Sequence, residues 1–167
     1  MSTRFNTVAL PDETNASLAL VAREIATELN EARAALEAFA ERPDDRVALH
    51  RFTTHVHLAR GALRLAEVYG GALLGEEMEQ VAQYVDRHSA TGEPDADGLD
   101  ALMRAIEQLP AYVERVASGG RDVPLALLPL LNDLRAVRGG ALLSEGTLLL
   151  LNLRSDEPAR PVGGDAE

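Results

Sequence analysis

The sequence predicts an all-α fold, an antiparallel up-and-down bundle of four helices plus a fifth short one. Three observations carry that expectation. Hydrophobic residues make up 46% of the 167-residue chain but aromatics only 4%, with no Trp, so Leu, Ala and Val must fill the core. Ala, Leu, Glu and Arg are plentiful and β-branched runs few, which favours helix. Apolar residues recur at spacings of three and four, in segments that break at Gly, Pro and Asp clusters, and no segment alternates as a strand would. Short polar joints between such helices make neighbours antiparallel.

The first helix is expected over Ala16–Glu41, with Asp12, Glu13, Thr14 and Asn15 as N-terminal acceptors and Pro43 closing it. Its stripe reads Leu18, Val21, Ile25, Leu29, Ala32, Leu36 and Phe39. A second helix begins near Asp44–Asp45 and runs to about Tyr69, where Gly70–Gly71 interrupt it. The third covers Ala72–His88, with Leu73, Leu74, Met78, Val81, Tyr84 and Val85 inward. The fourth spans Leu99–Ala117, striped by Leu102, Ile106, Leu109, Val113 and Val116, and Pro110 is expected to kink it. The fifth, Pro124–Val137, is nearly apolar all round and is read as core, with Pro129 marking a second bend and Asp122 its N-cap. Ala141–Leu153 is expected as an irregular cover. The domain organisation that follows is a flexible start (1–15), one bundle (16–153) and a disordered tail or linker (154–167).

Charge narrows the function classes. The formal net charge is −11, from 27 acidic against 16 basic residues, so phosphate backbones and anionic lipid surfaces are poor partners: no nucleic acid is expected. There are no cysteines, which removes disulfide scaffolds, Cys-type zinc sites and thiol chemistry. The start lacks the apolar run of a signal peptide, and the longest apolar stretches are too short to span a bilayer. A cytoplasmic location without membrane insertion is the expectation.

The informative stretch is Arg51–Tyr69. Its apolar stripe is Leu49, Phe52, Val56, Ala59, Leu63 and Ala66. A second stripe, His50, Thr53, His57, Arg60 and Arg64, is turned about 100° from the first and faces solvent. An exposed imidazole with a cation one turn away can meet and steady a phosphoryl group. Gly61 costs the helix roughly 1 kcal/mol relative to Ala, and close approach by a partner gives it a reason. These features point to His57 as a phosphoacceptor, with Arg60 and Arg64 offsetting charge and Gly61 giving partner access. The same arginines also fit a plain solvated strip pairing with Glu67.

His57-Leu58-Ala59-Arg60-Gly61-Ala62 resembles the histidine-phosphotransfer (Hpt) signature, although the usual basic residue there is lysine and a small hydroxyl residue often follows the glycine. The wider text, GALRLAEVYGGALLGEEMEQVAQ and LDALMRAIEQLPAYVERVASGGRDVPLALLPLLNDLRAVRGGALLSE, resembles the N-terminal region of the ChpA (PilL) chemosensory kinases and the related scaffold FimL, a family that controls type IV pili and twitching motility. The resemblance implies an Hpt-like bundle and one of two roles. The first is a phosphorelay step between His57 and the aspartate of a response-regulator receiver domain, with a histidine kinase domain as a further phosphoryl donor. The alternative is a non-phosphorylated, FimL-like adaptor binding receiver or polar-scaffold proteins. Neither role is an enzyme's, since the chain has no glycine-rich ATP-binding loop, and no cofactor is called for.

Other polar clusters invite blander readings. His55 and His57 form an H-x-H pair, but positions i and i+2 point about 200° apart on a helix, so no metal site is expected. His50 and His88 read as surface residues, and Glu76, Glu77 and Glu79 as a solvated face.

Overall fold

Four long helices and a smaller C-terminal layer make up the molecule. The computed structural model describes residues 11–155, with side chains from 19 to 151. The elements are α1 (Pro11–Glu41), α2 (Arg46–Leu65), α3 (Tyr69–Ser89), α4 (Ala96–Ala117), a 3₁₀ turn (Pro124–Leu127), α5 (Leu128–Val137) and α6 (Glu145–Ser155). The expected flexible start and tail fall in part on residues 1–10 and 156–167, outside the described residues, as does the side chain of Leu18. No strand occurs among the described residues.

Helices α1 and α3 each pack against both α2 and α4, so the four close into an up-and-down ring joined by short loops. The stripes read from the sequence form its interior. Leu49, Phe52, Val56, Ala59 and Leu63 of α2 are all buried, met by Ile25, Leu29 and Leu36 of α1, Leu74, Met78 and Val81 of α3, and Leu102, Ile106 and Leu109 of α4. Truncating a core ring such as that of Phe52 to Ala costs about 3–5 kcal/mol. Helix α5 packs on α3 and α4, and α6 rests on the 3₁₀ turn.

Boundaries differ from expectation for local reasons. Helix α1 starts at Pro11, a turn earlier than Ala16. Asp45 caps α2 by accepting from the backbone N–H of Ala48 at 3.1 Å. Helix α2 stops at Leu65 rather than near Tyr69 because Glu67 turns left-handed (φ 61°), and Val68 N–H reaches back to the Leu63 carbonyl at 2.9 Å. That conformation costs a non-glycine residue roughly 1–2 kcal/mol.

Gly70 and Gly71 therefore open α3 instead of ending α2. Asp122 does not cap the segment after it. Its carboxylate instead accepts from Gly70 N–H at 3.1 Å and from the Tyr112 hydroxyl, capping α3 from a distant loop. A Cβ on Gly70 would lie 2.6 Å from Asp122 Oδ1, so only glycine admits this contact. Burial, and then the Asp122 bond, push the Tyr112 hydroxyl well above its ordinary pKa.

The expected fifth helix divides into the 3₁₀ turn and α5, and Pro129 lies in the first turn of α5, where a missing N–H is harmless. Helix α4 runs continuously through Pro110. The expected irregular cover contains α6, started by Ser144 Oγ accepting from Thr147 N–H at 3.1 Å. It buries Leu148 and leaves Leu149 and Leu150 exposed.

Candidate functional site

His57 lies on the outer edge of the α2–α3 seam, its side chain 63% exposed. Its Nδ1 is 2.7 Å from Glu79 Oε1 on α3. A carboxylate accepts only, so the imidazole must donate there, which places the ring proton on Nδ1. Arg60 Nη2 lies 3.4 Å from the same Nδ1, too long and with no lone pair left to receive it. The Arg60 guanidinium is instead held by Glu79 Oε2 at 2.8 Å. Glu79 is almost wholly buried and joins both partners. In the neutral ring the lone pair is then on Nε2, which has no hydrogen-bond partner among the described residues.

This arrangement can hold the ring in one orientation. The carboxylate fixes the tautomer and ring angle, and it offsets the positive charge the ring acquires once an electrophile bonds to Nε2. A single buried acid is bound to both His57 and Arg60.

Sequence reasoning placed His57 and Gly61 on the accessible side, and both are exposed. A Cβ on Gly61 would meet nothing within 4 Å, so the space above it is open. Arg60 differs from the expected solvent strip: it is turned into the seam and 23% exposed. Arg64 stands two turns beyond His57, exposed and without an ion pair among the described residues. Neither arginine pairs with Glu67.

Glu77 and Glu79 correct the solvated-face reading, since both are buried. Glu77 accepts from Arg135 and, at 2.9 Å, from Arg138 Nη2, tying α3 to α5. Glu76 alone of the three is exposed. Gly75 of α3 belongs to the same seam. A Cβ there would lie 3.2 Å from Arg60 Cβ, so its bareness lets α2 and α3 approach where the triad forms.

The H-x-H pair splits as helix geometry requires: His55 Nδ1 meets Glu28 of α1 at 2.6 Å, while His57 turns to α3. No group of three potential ligands could hold a metal ion among the described residues. His50 is exposed but not unattached, with Nε2 3.3 Å from Asp86, which Arg46 also grips through two bonds. Arg46, and to a lesser degree His50, hold the Asp86 carboxyl below its ordinary range against the opposing effect of burial. His88 packs its ring on Tyr84, with centroids 4.1 Å apart.

Residues 12–130 match the family described as the FimL C-terminal domain. The chain belongs to that family. The scaffold protein FimL of Pseudomonas aeruginosa is 32% identical over 146 residues, which cover 87% of this chain and 25% of that protein. This FimL-family domain therefore spans about a quarter of the length of the curated relative it matches. No solved structure matches it. The family assignment takes in α2 to α4 and all but the first residue of α1, and with them the His57–Glu79–Arg60 cluster. No described helix is long and apolar enough to cross a membrane.

Proposed function

We propose that this domain is a non-enzymatic docking module of the scaffold type, using the outer face of α2 to bind a receiver domain or polar-scaffold protein of bacterial pilus control in the cytoplasm. The observation that carries this reading is the bare patch at Gly61. Leu58 is 52% and Leu65 88% exposed on either side of it, with His57 alongside. Large apolar side chains around an open gap favour a partner surface pressed close to the helix backbone. The relative's description as a scaffold protein supports the same role. In a binding assay against the cognate receiver and polar-scaffold proteins, Leu58→Glu is expected to weaken association at least about tenfold. Undiminished binding would overturn the assignment of this face.

One specific observation favours a second reading, kinship with the phosphotransfer regions of the ChpA kinases. Glu79 holds Nδ1 and frees Nε2. In that reading the Nε2 lone pair attacks the phosphorus of a receiver's aspartyl phosphate, the P–O bond to the aspartate breaks, and the carboxylate leaves. The Nδ1 proton stays against Glu79. Arg60 steadies the phosphoryl charge, assisted by Arg64, and Gly61 lets the receiver approach. Any metal ion would be the receiver's. Incubation with phosphorylated cognate receiver is expected to yield acid-labile, base-stable label that His57→Gln abolishes. Label persisting in His57→Gln removes this site, and no label with any cognate receiver leaves docking alone as the role.

A further inference from the structure

The C-terminal layer keeps large apolar side chains in water. Helix α6 buries Leu148, but Leu149 is 58% and Leu150 63% exposed. Val123 and Leu125 at the 3₁₀ turn and Leu142 ahead of α6 are exposed as well, and the four long helices together expose fewer such side chains among the described residues. Three consecutive residues of a helix span about 200°, so the turn that covers Leu148 cannot also cover Leu149 and Leu150. A helix with leucines this far round its axis is one enclosed by neighbours, yet the main contact of α6 is the turn. Between the two lies an apolar notch of about 260 Å³, lined by Val123, Leu125, Leu148 and Leu149.

Charge indicates what covers this face. With a net charge of −11, the chain as a whole repels a copy of itself. The C-terminal layer does not, because residues 119–151 carry three arginines (Arg121, Arg135, Arg138) against three acids (Asp122, Asp133, Glu145). Arg121 and Glu145 both stand at the notch, exposed and without a partner among the described residues. An apolar centre flanked by one unpaired charge of each sign is complementary to itself. Under a two-fold rotation, Arg121 of each copy faces Glu145 of the other, and the leucines meet between them.

We propose that this face pairs two copies of the chain, α6 against α6, with Leu150, which lies outside its own notch, entering that of its partner. The pairing stands apart from the docking reading of α2. What it adds to a docking module is bivalence: one assembly carries two α2 faces, and a partner with two sites is held by both at once.

The test is sedimentation of the full chain over a concentration series from about 1 µM to 1 mM, the range in which small interfaces associate. The mass of two chains is expected at the upper end. Leu150→Glu should raise the dissociation constant at least about tenfold, with the helical circular dichroism signal unchanged. Arg121→Glu and Glu145→Arg should each weaken pairing when alone. An equimolar mixture of these two single variants should restore it, because each then faces the charge it needs on the other chain, a repair that no effect within one chain produces. The mass of a single chain throughout the series overturns the proposal and hands the face to another protein. Pairing undiminished by Leu150→Glu overturns this face, and a mixture that stays as weak as its components overturns the two-fold register. Leu58→Glu, the variant that tests docking on α2, should leave the mass unaltered, so the pairing and the docking face fail separately.

Discussion

His50 and His57 stand seven residues apart on α2, each beside an arginine and each facing a carboxylate of α3, yet the two clusters are not equivalent. At His57 the acid is 9% exposed and binds Nδ1. At His50 the acid is 20% exposed, binds Nε2, and is gripped mainly by Arg46, itself half exposed. The same residue types thus give an imidazole fixed by a buried carboxylate in one place and a surface ion cluster in the other. Two things separate them: how deep the carboxylate lies and which ring nitrogen it holds. Beside the deeper acid, Gly75 lets α3 draw close to Arg60, where a Cβ would lie 3.2 Å from Arg60 Cβ.

The sharpest way to break this contrast is to remove the acids. Glu79→Ala leaves a half-buried Arg60 without its counter-charge and should lower stability by about 3 kcal/mol, read from the urea midpoint. Asp86→Asn should lower stability much less, by under about 1 kcal/mol at neutral pH, since its partners are half in water. Equal effects would erase the distinction. Next, Gly75→Leu should wedge the seam open at Arg60, costing about 1–3 kcal/mol, and remove the His57–Glu79 coupling while leaving His50–Asp86 intact by NMR.

Acid titration should show a smaller difference. The Asp86 carboxyl has its pKa lowered on folding, so its contribution is present above the ordinary carboxylate range and is lost as pH falls through the lowered value. Asp86→Asn should therefore flatten the decline in stability below about pH 4. The smallest effect is a proton position. Nitrogen-15 spectra of the neutral rings should show His57 protonated on Nδ1 and His50 on Nε2, and a shared tautomer would refute the account.

How much of this was legible in the sequence depends on range. The core stripe of α2, the exposure of His57 and the gap at Gly61 follow from a period of 3.6 within one helix. Glu79 did not follow, because its burial is fixed by the pairing of two helices. His57 and Glu79 lie eleven residues on either side of Val68, and His50 and Asp86 eighteen. A hairpin centred there pairs them, and an α2 extending to Tyr69 does not. The turn rests on Glu67 in a left-handed conformation, where composition calls for glycine. Helix α6 is illegible for a different reason: Leu148–Leu151 is an unbroken run with no period to read.

The reach of Asp122 bears on how the polypeptide can be divided. Gly119–Gly120 and the residues after it read as a natural seam between a four-helix unit and an appendage. Yet the acceptor for the first turn of α3 comes from beyond that seam, 52 residues along the chain, and the hydroxyl of Tyr112 is anchored by the same carboxylate. Severing the chain there would strip the leading amide of α3 and strand a buried phenol in one cut, so the appendage is part of what holds the bundle's end together.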